Sequence, residues 1–247
     1  MEQYILPKDV IKQYDTSSWQ QVVYSEFESA LLSKTRPFPC VFGVSGLKAG
    51  QIRIAFPDPL TPKSLAPILK DYVQNARGFG PMTSLVVFTR PGPVQHIESY
   101  QKYFWSLLND LEGMDQSPRP EHIPEQLDDP KWEFCFAGEP IFVVCNTPSH
   151  VLRQSRRSTS FMITFQPRWV FEGILDADAD PIVARSLETV RSRLKAYDAI
   201  STYPYLGKYG EIDTREYQQY FIADSNDAPA CPFHKLGNDK TSKGEVA

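Results

Sequence analysis

The chain has 247 residues, of which 41% are hydrophobic and 23% are charged. These proportions are typical of a globular protein with a packed core, and they exclude a disordered or fibrous chain. The formal net charge of −4 argues against a general nucleic-acid or anionic-membrane binder, because such proteins are usually basic. The chain carries four His and four Cys and no C-x-x-C pair, so a structural zinc site is not expected.

The N-terminus predicts that the chain stays in the cytoplasm. It lacks the basic start and the apolar run of a signal peptide. The longest apolar runs, such as Ile141–Cys145, are far shorter than the ~20 residues that a membrane-spanning helix needs. In the cytoplasm the four cysteines are expected to be thiols rather than disulfides.

Hydrophobic periodicity predicts a series of short helices and strands. The first is a helix over Ser18–Leu32, in which Ser18 and Gln21 have the spacing of a capping box. A β-hairpin is expected next, formed by Cys40–Val44 and Gln51–Phe56. The remaining elements, in chain order, are a helix at Leu65–Arg77, a strand at Ser84–Thr89, a helix at His96–Leu111, strands at Trp132–Ala137, Ile141–Asn146 and Phe161–Phe165, and a helix from Asp180 and Pro181 to Tyr197.

This mixture of elements indicates an α+β fold. We expect a single domain over residues 1–235, with a mostly antiparallel central sheet flanked by amphipathic helices. Helices and strands do not alternate regularly, as they would in a doubly wound parallel sheet. The polar tail at residues 236–247 is predicted to be disordered.

A cluster of arginines follows the predicted strand Ile141–Asn146. A guanidinium group offers a planar fork of donors that suits a carboxylate. In an acidic chain, this density of arginines favours an anion site for haem propionates or for an amino-acid carboxylate. Surface charge paired with Asp and Glu is the alternative. The four arginines are Arg153, Arg156, Arg157 and Arg168.

Two segments offer a ligand for a metal ion. His150 lies in a loop at a predicted strand end and is a candidate iron ligand or base, although a lone His is more often an ordinary hydrogen-bonded side chain. Cys231, which precedes Pro232, is a rival axial ligand for haem, and His234 is a third. For Cys231 the alternative is a buried thiol with no ligand role.

Two carboxylates, Glu133 and Glu139, flank the predicted hairpin turn after Trp132–Ala137. A buried carboxylate is costly unless it is paired, so pairing with one of the arginines is the simpler explanation for Glu133. The functional alternative is recognition of a cationic guanidinium or amine, for which a carboxylate provides two parallel acceptors.

Motifs across most of the chain resemble the YqcI/YcgG family. They extend from Phe38 to Phe233 and keep several uncommon residues in order. Where other branches of the family carry G-M-H-P, this chain has Asn146-Thr147-Pro148, so its histidine lies a few positions later. The motifs are FPCVFG at 38–43, SLVVF at 84–88, WEFCFAGEPIFVVCNTPSH at 132–150, SRR at 155–157, FQPRWVFE at 165–172, QYF at 219–221 and CPF at 231–233.

The resemblance implies a haem-dependent N-hydroxylase. Characterised members of the family include an arginine N-hydroxylase of cycloserine biosynthesis and the pre-guanitoxin N-hydroxylase. By resemblance, the chain binds haem b, uses O2 and an external redox donor, and hydroxylates a guanidino group or amine of an amino-acid-like small molecule. In this hypothesis His150 ligates the iron, with Cys231 as the alternative, and Glu139 or Glu133 holds the guanidinium. The candidate partners for propionates or for a substrate carboxylate are Arg153, Arg156, Arg157 and Arg168.

Two other functions stay open on the sequence alone. One is a non-catalytic haem-binding or haem-sensing protein, for which Cys231 and Pro232 would suffice. The other is a metal-free small-molecule binding module, in which the arginines hold only a carboxylate. No nucleic-acid or membrane partner is expected for any of the three.

Overall fold

A five-stranded mixed sheet organises the part of the chain that the computed structural model describes, which is residues 3–172, 181–207 and 209–227. The strands are β1 (Ile52–Ala55), β2 (Ser84–Phe88), β3 (Cys135–Phe136), β4 (Glu139–Asn146) and β5 (Met162–Pro167). Their order is β1-β2-β5-β4-β3, with β1 and β2 parallel and the other neighbours antiparallel. This mostly antiparallel sheet confirms the predicted α+β fold.

Helices are present at four of the predicted positions, as α2 (Trp19–Leu32), α4 (Pro62–Asn75), α5 (Ile97–Met114) and α6 (Pro181–Tyr197). The N-terminus of α2 has the predicted cap, because Ser18 Oγ accepts a hydrogen bond from the Gln21 N–H. Asp180, predicted to cap α6, lies outside the described residues. No helix within the described ranges is long and apolar enough to cross a membrane. The helices are α1 (Pro7–Gln13), α2 (Trp19–Leu32), α3 (Val41–Lys48), α4 (Pro62–Asn75), α5 (Ile97–Met114) and α6 (Pro181–Tyr197).

Helices pack on both faces of the sheet. In β2, Leu85 and Val87 belong to one hydrophobic core with residues of α4 and α5, whereas Val86 and Phe88 belong to a second core with residues of α2. This alternation follows from the two-residue period of a strand. All of β2 is buried, as expected for a strand between two helical layers.

The segment Cys40–Val44 corrects one prediction, because it begins α3 and does not form an arm of a hairpin. β1 instead pairs in parallel with β2. The Cys40 thiol caps α3 by accepting a hydrogen bond from the Gly43 N–H at 3.3 Å. A Cβ on Gly46 would lie 2.4 Å from the Met82 carbonyl oxygen, so α3 approaches the chain before β2 very closely. A short apolar run does not by itself distinguish a strand from a buried helix.

The hairpin of β3 and β4 turns one residue earlier than predicted. Its turn residues, Ala137 and Gly138, have positive φ angles of 54° and 76°, as a type I′ turn requires. The predicted strand Trp132–Ala137 is reduced to two residues. The Phe134 carbonyl still accepts from the Ile141 N–H at 2.8 Å, but the Phe134 N–H donates to the Tyr220 hydroxyl at 3.2 Å, so the regular strand does not extend past Cys135.

The pairing of β4 with β5 decides where the predicted site residues lie. Asn146 is opposite Met162, and Ile141 is opposite Pro167. The loop after β4 therefore leaves one end of this strand pair, whereas Arg168, which directly follows β5, leaves the other. The two ends are about 17 Å apart at ~3.3 Å per residue.

Candidate functional site

Arg168 lies in a buried cluster with two carboxylates. Its Nε donates a hydrogen bond to Glu133 Oε1 at 2.8 Å, and its Nη2 donates to that oxygen and to Glu216 Oε1. Glu133 is fully buried and Glu216 is 4% exposed. The Tyr209 ring covers the guanidinium, with its centroid 4.1 Å from the guanidinium carbon, and adds a cation–π contact. Glu216 Oε2 accepts a further hydrogen bond from Gln219 Nε2 at 3.1 Å.

The charges of this cluster change one another's pKa. Burial raises the pKa of Glu133 to about 7, although Arg168 opposes the rise. Burial also raises the pKa of Glu216. Burial alone lowers the pKa of Arg168, but Glu216 and Glu133 outweigh it and raise that pKa above its usual value. Glu133 is therefore paired with an arginine, Arg168, which is the simpler of the two explanations that the sequence offers for this carboxylate.

Glu139, the second carboxylate predicted to hold a guanidinium, is half-buried at the start of β4. Its Oε1 lies 4.0 Å from Nη2 of the exposed Arg77, and such a pair contributes little stability. Burial raises the pKa of Glu139, and Arg77 opposes that rise. Glu139 thus has a weaker internal partner than Glu133.

His150 is fully buried at the other end of β4, and both of its ring nitrogens are hydrogen-bonded. Nδ1 lies 2.9 Å from Thr147 Oγ1, and Nε2 lies 2.9 Å from the Ile222 carbonyl oxygen. A carbonyl oxygen only accepts hydrogen bonds, so Nε2 carries a proton. Burial lowers the pKa of His150. The ring is therefore neutral, and its Nδ1 accepts from the Thr147 hydroxyl.

This geometry does not fit the predicted role of His150 as a haem ligand. An axial histidine offers a nitrogen lone pair to iron, whereas one nitrogen of His150 is protonated and the other accepts from Thr147. The other predicted ligands, Cys231 and His234, lie outside the described residues. Within the described ranges, no group of three His, Cys, Asp or Glu side chains could hold a metal ion.

Arg153 fastens the segment at residues 223–226 to the loop after β4. It donates to the carbonyl oxygens of Ala223 and Ser225 and to Asn226 Oδ1, at 2.9, 3.2 and 2.8 Å. The Asp224 carboxylate accepts from the backbone N–H groups of residues 151–153. Burial of Asp224 opposes their effect, but together these donors hold its pKa below the usual value. These contacts give Arg153 a structural role.

Arg156 has fewer partners than Arg153. Its Nη2 donates to the Gln219 carbonyl oxygen at 3.1 Å. Its Nη1 is buried and has no hydrogen-bond partner among the described residues. Burial, with repulsion from Arg153, lowers the pKa of Arg156 to about 10, so the side chain stays charged at neutral pH. The next residue, Arg157, is exposed and donates to the His150 carbonyl oxygen at 3.0 Å.

The four predicted arginines therefore do not lie in one group in the described structure. Each guanidinium has its own acceptors, and Arg168 starts from the opposite end of the strand pair from the other three. Arg156 differs from Arg168 in its acceptors. In the described structure its Nη1 is buried without a hydrogen-bond partner, and its Nη2 donates to a carbonyl oxygen and not to a carboxylate. Two surface depressions, of about 360 and 600 Å3, are lined by other segments of the chain.

The short 3-10 helix Glu216–Gln219 is not predicted from the sequence, although its residues contact two of the four arginines. The Glu216 carboxylate binds Arg168, and the Gln219 carbonyl binds Arg156. The helix has no hydrophobic periodicity that would predict it. The family motif QYF, which begins at Gln219, is the signal in the sequence that points to this position.

Comparison with known proteins supports the resemblance. The model of the YqcI/YcgG family matches residues 27–234. The chain belongs to this family. It is 41% identical over 230 residues to the uncharacterized protein YqcI of Bacillus subtilis (strain 168), with 89% of each chain covered. It is also 41% identical over 236 residues to the uncharacterized protein YcgG of the same organism, with 92% of each chain covered.

A more distant relative of the chain carries a functional name. The chain is 28% identical over 232 residues to "Putative N(omega)-hydroxy-L-arginine synthase DcsA" of Streptomyces lavendulae, an alignment that covers 89% of this chain and 85% of that protein. No solved structure matches the chain.

Proposed function

We propose that this protein N-hydroxylates a guanidino group or an amine of an amino-acid-like small molecule. The observation that carries the proposal is the similarity to "Putative N(omega)-hydroxy-L-arginine synthase DcsA", which extends over 89% of the chain. In the overall reaction, an N–H bond becomes N–OH with one atom of O2. The other atom leaves as water after an external donor supplies two electrons and the medium two protons.

Haem b is the proposed cofactor, and the cytoplasm is the proposed location. When bound, haem supplies the activation of O2, which no side chain can provide. Because both nitrogens of His150 are engaged, we propose that Cys231 would hold the haem iron in its place. Cys231 lies outside the described residues. No flavin or nicotinamide motif occurs in the sequence, so the electron donor is a separate molecule.

The two ends of β4 offer different contacts to such a substrate. Glu139, at the start of β4, suits a guanidinium, and Arg156, beyond its end, suits a carboxylate. β4 spans about 23 Å from Glu139 to Asn146 at ~3.3 Å per residue. An arginine-sized molecule is shorter than this span and contacts one end only.

Reconstitution with hemin tests the proposal. We expect purified protein to develop a Soret band on addition of hemin. With O2 and a reductant, we expect it to convert L-arginine or a related guanidine to a product one oxygen atom heavier by mass spectrometry. The matched control omits hemin and is expected to give no product.

The outcomes of this experiment separate the alternatives. A Soret band without product from any guanidine or amino acid would indicate a haem-binding or haem-sensing protein. Binding of arginine without any Soret band would indicate a metal-free binding module. Either result contradicts the proposed reaction.

A further inference from the structure

Arg156 carries a positive charge that no carboxylate of the described residues contacts directly, although the nearby Asp198 charge partly offsets the lowering of its pKa. Its Nη2 donates to the neutral carbonyl of Gln219, and its Nη1 has no partner in the described part of the chain. The buried Cys145 thiol nearby is not a counter-ion, because burial raises its pKa well above the usual value. A buried donor without a hydrogen-bond partner is costly, so Arg156 Nη1 favours an added acceptor.

The carboxylates of the same region are engaged with other donors. Asp198 accepts from the Ser155 N–H at 2.7 Å and from the Ser155 hydroxyl at 2.8 Å. Asp224 accepts from the backbone N–H groups of residues 151–153. Both carboxylates thus use their oxygens to shape the loop after β4, and the Nη1 donor of Arg156 remains for a ligand.

We propose that Arg156 binds a carboxylate of a small molecule that the protein takes up. The inference rests on the proposed function and names the end of the substrate that the protein recognises. A guanidinium matches a carboxylate in shape and charge. The neighbouring Arg153 adds a second positive charge, so an anion is favoured over a neutral acceptor. Arg156 fixes the carboxylate and leaves the nitrogen at the other end of the molecule free to react.

The carboxylate has two sources that share this chemistry. One is the α-carboxylate of an amino-acid substrate, and the other is a propionate of haem. Both would place an anionic oxygen at Arg156 Nη1. Two pairs of probes distinguish them, because in each pair the second molecule lacks the carboxylate charge.

Titration calorimetry tests the first source with L-arginine and L-argininamide on haem-free protein. We expect the wild type to bind arginine roughly 10- to 100-fold more tightly than argininamide, as the loss of a charge-assisted hydrogen bond implies. Arg156→Met is expected to abolish this preference, and Arg156→Lys to retain part of it. In Arg90→Met, which removes an exposed arginine paired with Asp58, the preference is expected to be unchanged.

The second arm compares hemin with hemin dimethyl ester, whose propionates carry no charge. If Arg156→Met weakens hemin binding but leaves ester binding and the preference for arginine unchanged, the carboxylate belongs to haem. If the wild type shows no preference within either pair, or if Arg156→Met and Arg156→Lys keep every preference, the inference is overturned. Circular dichroism establishes that each variant is folded.

The test also separates this inference from the proposed reaction. An Arg156-dependent preference without any hydroxylated product would reject the N-hydroxylase and leave the carboxylate site standing. If the protein hydroxylates its substrate but the Arg156 variants keep the preference for the carboxylate-bearing probes, the N-hydroxylase stands and the carboxylate site is rejected.

Discussion

Two arginines, Arg168 and Arg156, bind the same short helix in opposite electrostatic surroundings. Arg168 is bound by the carboxylates of Glu133 and Glu216, which raise its pKa above the usual value. Arg156 is bound by the Gln219 carbonyl, and burial lowers its pKa to about 10. Residue type and burial therefore do not separate a structural charge from a ligand-binding one. The partners do: two carboxylates give Arg168 a structural role, and the neutral acceptor of Arg156 is the basis for the recognition role that we propose for it.

The largest effect is expected from Arg168→Met, which tests the structural half of this comparison. Removal of the guanidinium leaves the buried carboxylates of Glu133 and Glu216 without their cation. We expect the free energy of unfolding to fall by about 3–5 kcal/mol. Urea denaturation measures it. Arg90→Met, which breaks the exposed pair with Asp58, is the control and should cost less than about 1 kcal/mol. A similarly small loss for Arg168→Met would mean that the cluster does not stabilise the fold.

His150→Ala tests whether the histidine near Arg156 is structural. The substitution removes a buried ring and two hydrogen bonds, and we expect it to destabilise the protein by about 3 kcal/mol. The Soret band of the hemin-loaded variant should be unchanged while the variant is folded, whereas Cys231→Ala should lose it. A folded His150→Ala that loses the band would restore His150 as the axial ligand.

Glu133→Gln sharpens the comparison through pH. The pKa of Glu133 is about 7 in the fold against a usual 4.5, so the folded protein keeps a proton that the unfolded chain loses. Its contribution to stability is present below pH 4.5 and disappears as the pH rises through 7. We therefore expect the free energy of unfolding of Glu133→Gln to rise by roughly 3 kcal/mol relative to the wild type between pH 4.5 and 7, because one pKa unit corresponds to about 1.4 kcal/mol. If the free energy of unfolding, measured by urea denaturation at each pH, changes equally with pH in Glu133→Gln and in the wild type, the raised pKa of Glu133 is contradicted.

The smallest effect on stability is expected from Arg156→Met in the absence of ligand. The substitution loses one hydrogen bond to Gln219 but also removes a desolvated charge, so stability should change by about 1 kcal/mol or less. In the same denaturation assay with a fixed excess of L-arginine, Arg156→Met should be stabilised less by the ligand than the wild type is. A loss as large as that of Arg168→Met would make Arg156 structural as well.

Local patterns predicted most of the elements but not their pairing. The amphipathic helix predicted at His96–Leu111 is present as α5. Apolar residues at helical spacing form one face, and burial of that face against the core stabilises the helix. The segment Cys40–Val44 was predicted as a strand, because a short apolar run suits either a strand or a helix and the close approach of Gly46 to Met82 depends on a contact distant in sequence. The domain boundaries at residues 1–235 and the disordered tail stay predictions.

The candidate site was predictable in its residues but not in its grouping. Arg156 and Arg168 both lie in family motifs, yet the antiparallel register of β4 and β5 places them beyond opposite ends of the strand pair. Glu216, the second partner of Arg168, lies in a segment without periodicity and could not be paired with it from the sequence. Such pairings are set by tertiary packing.

The most direct test of the proposed function is turnover of L-arginine by hemin-loaded protein under 18O2. The account predicts one labelled oxygen atom in the product, located on the guanidino nitrogen by fragmentation in the mass spectrometer. A product without the label, a label elsewhere in the molecule, or no product from arginine and related guanidines in a protein that shows a Soret band would contradict it.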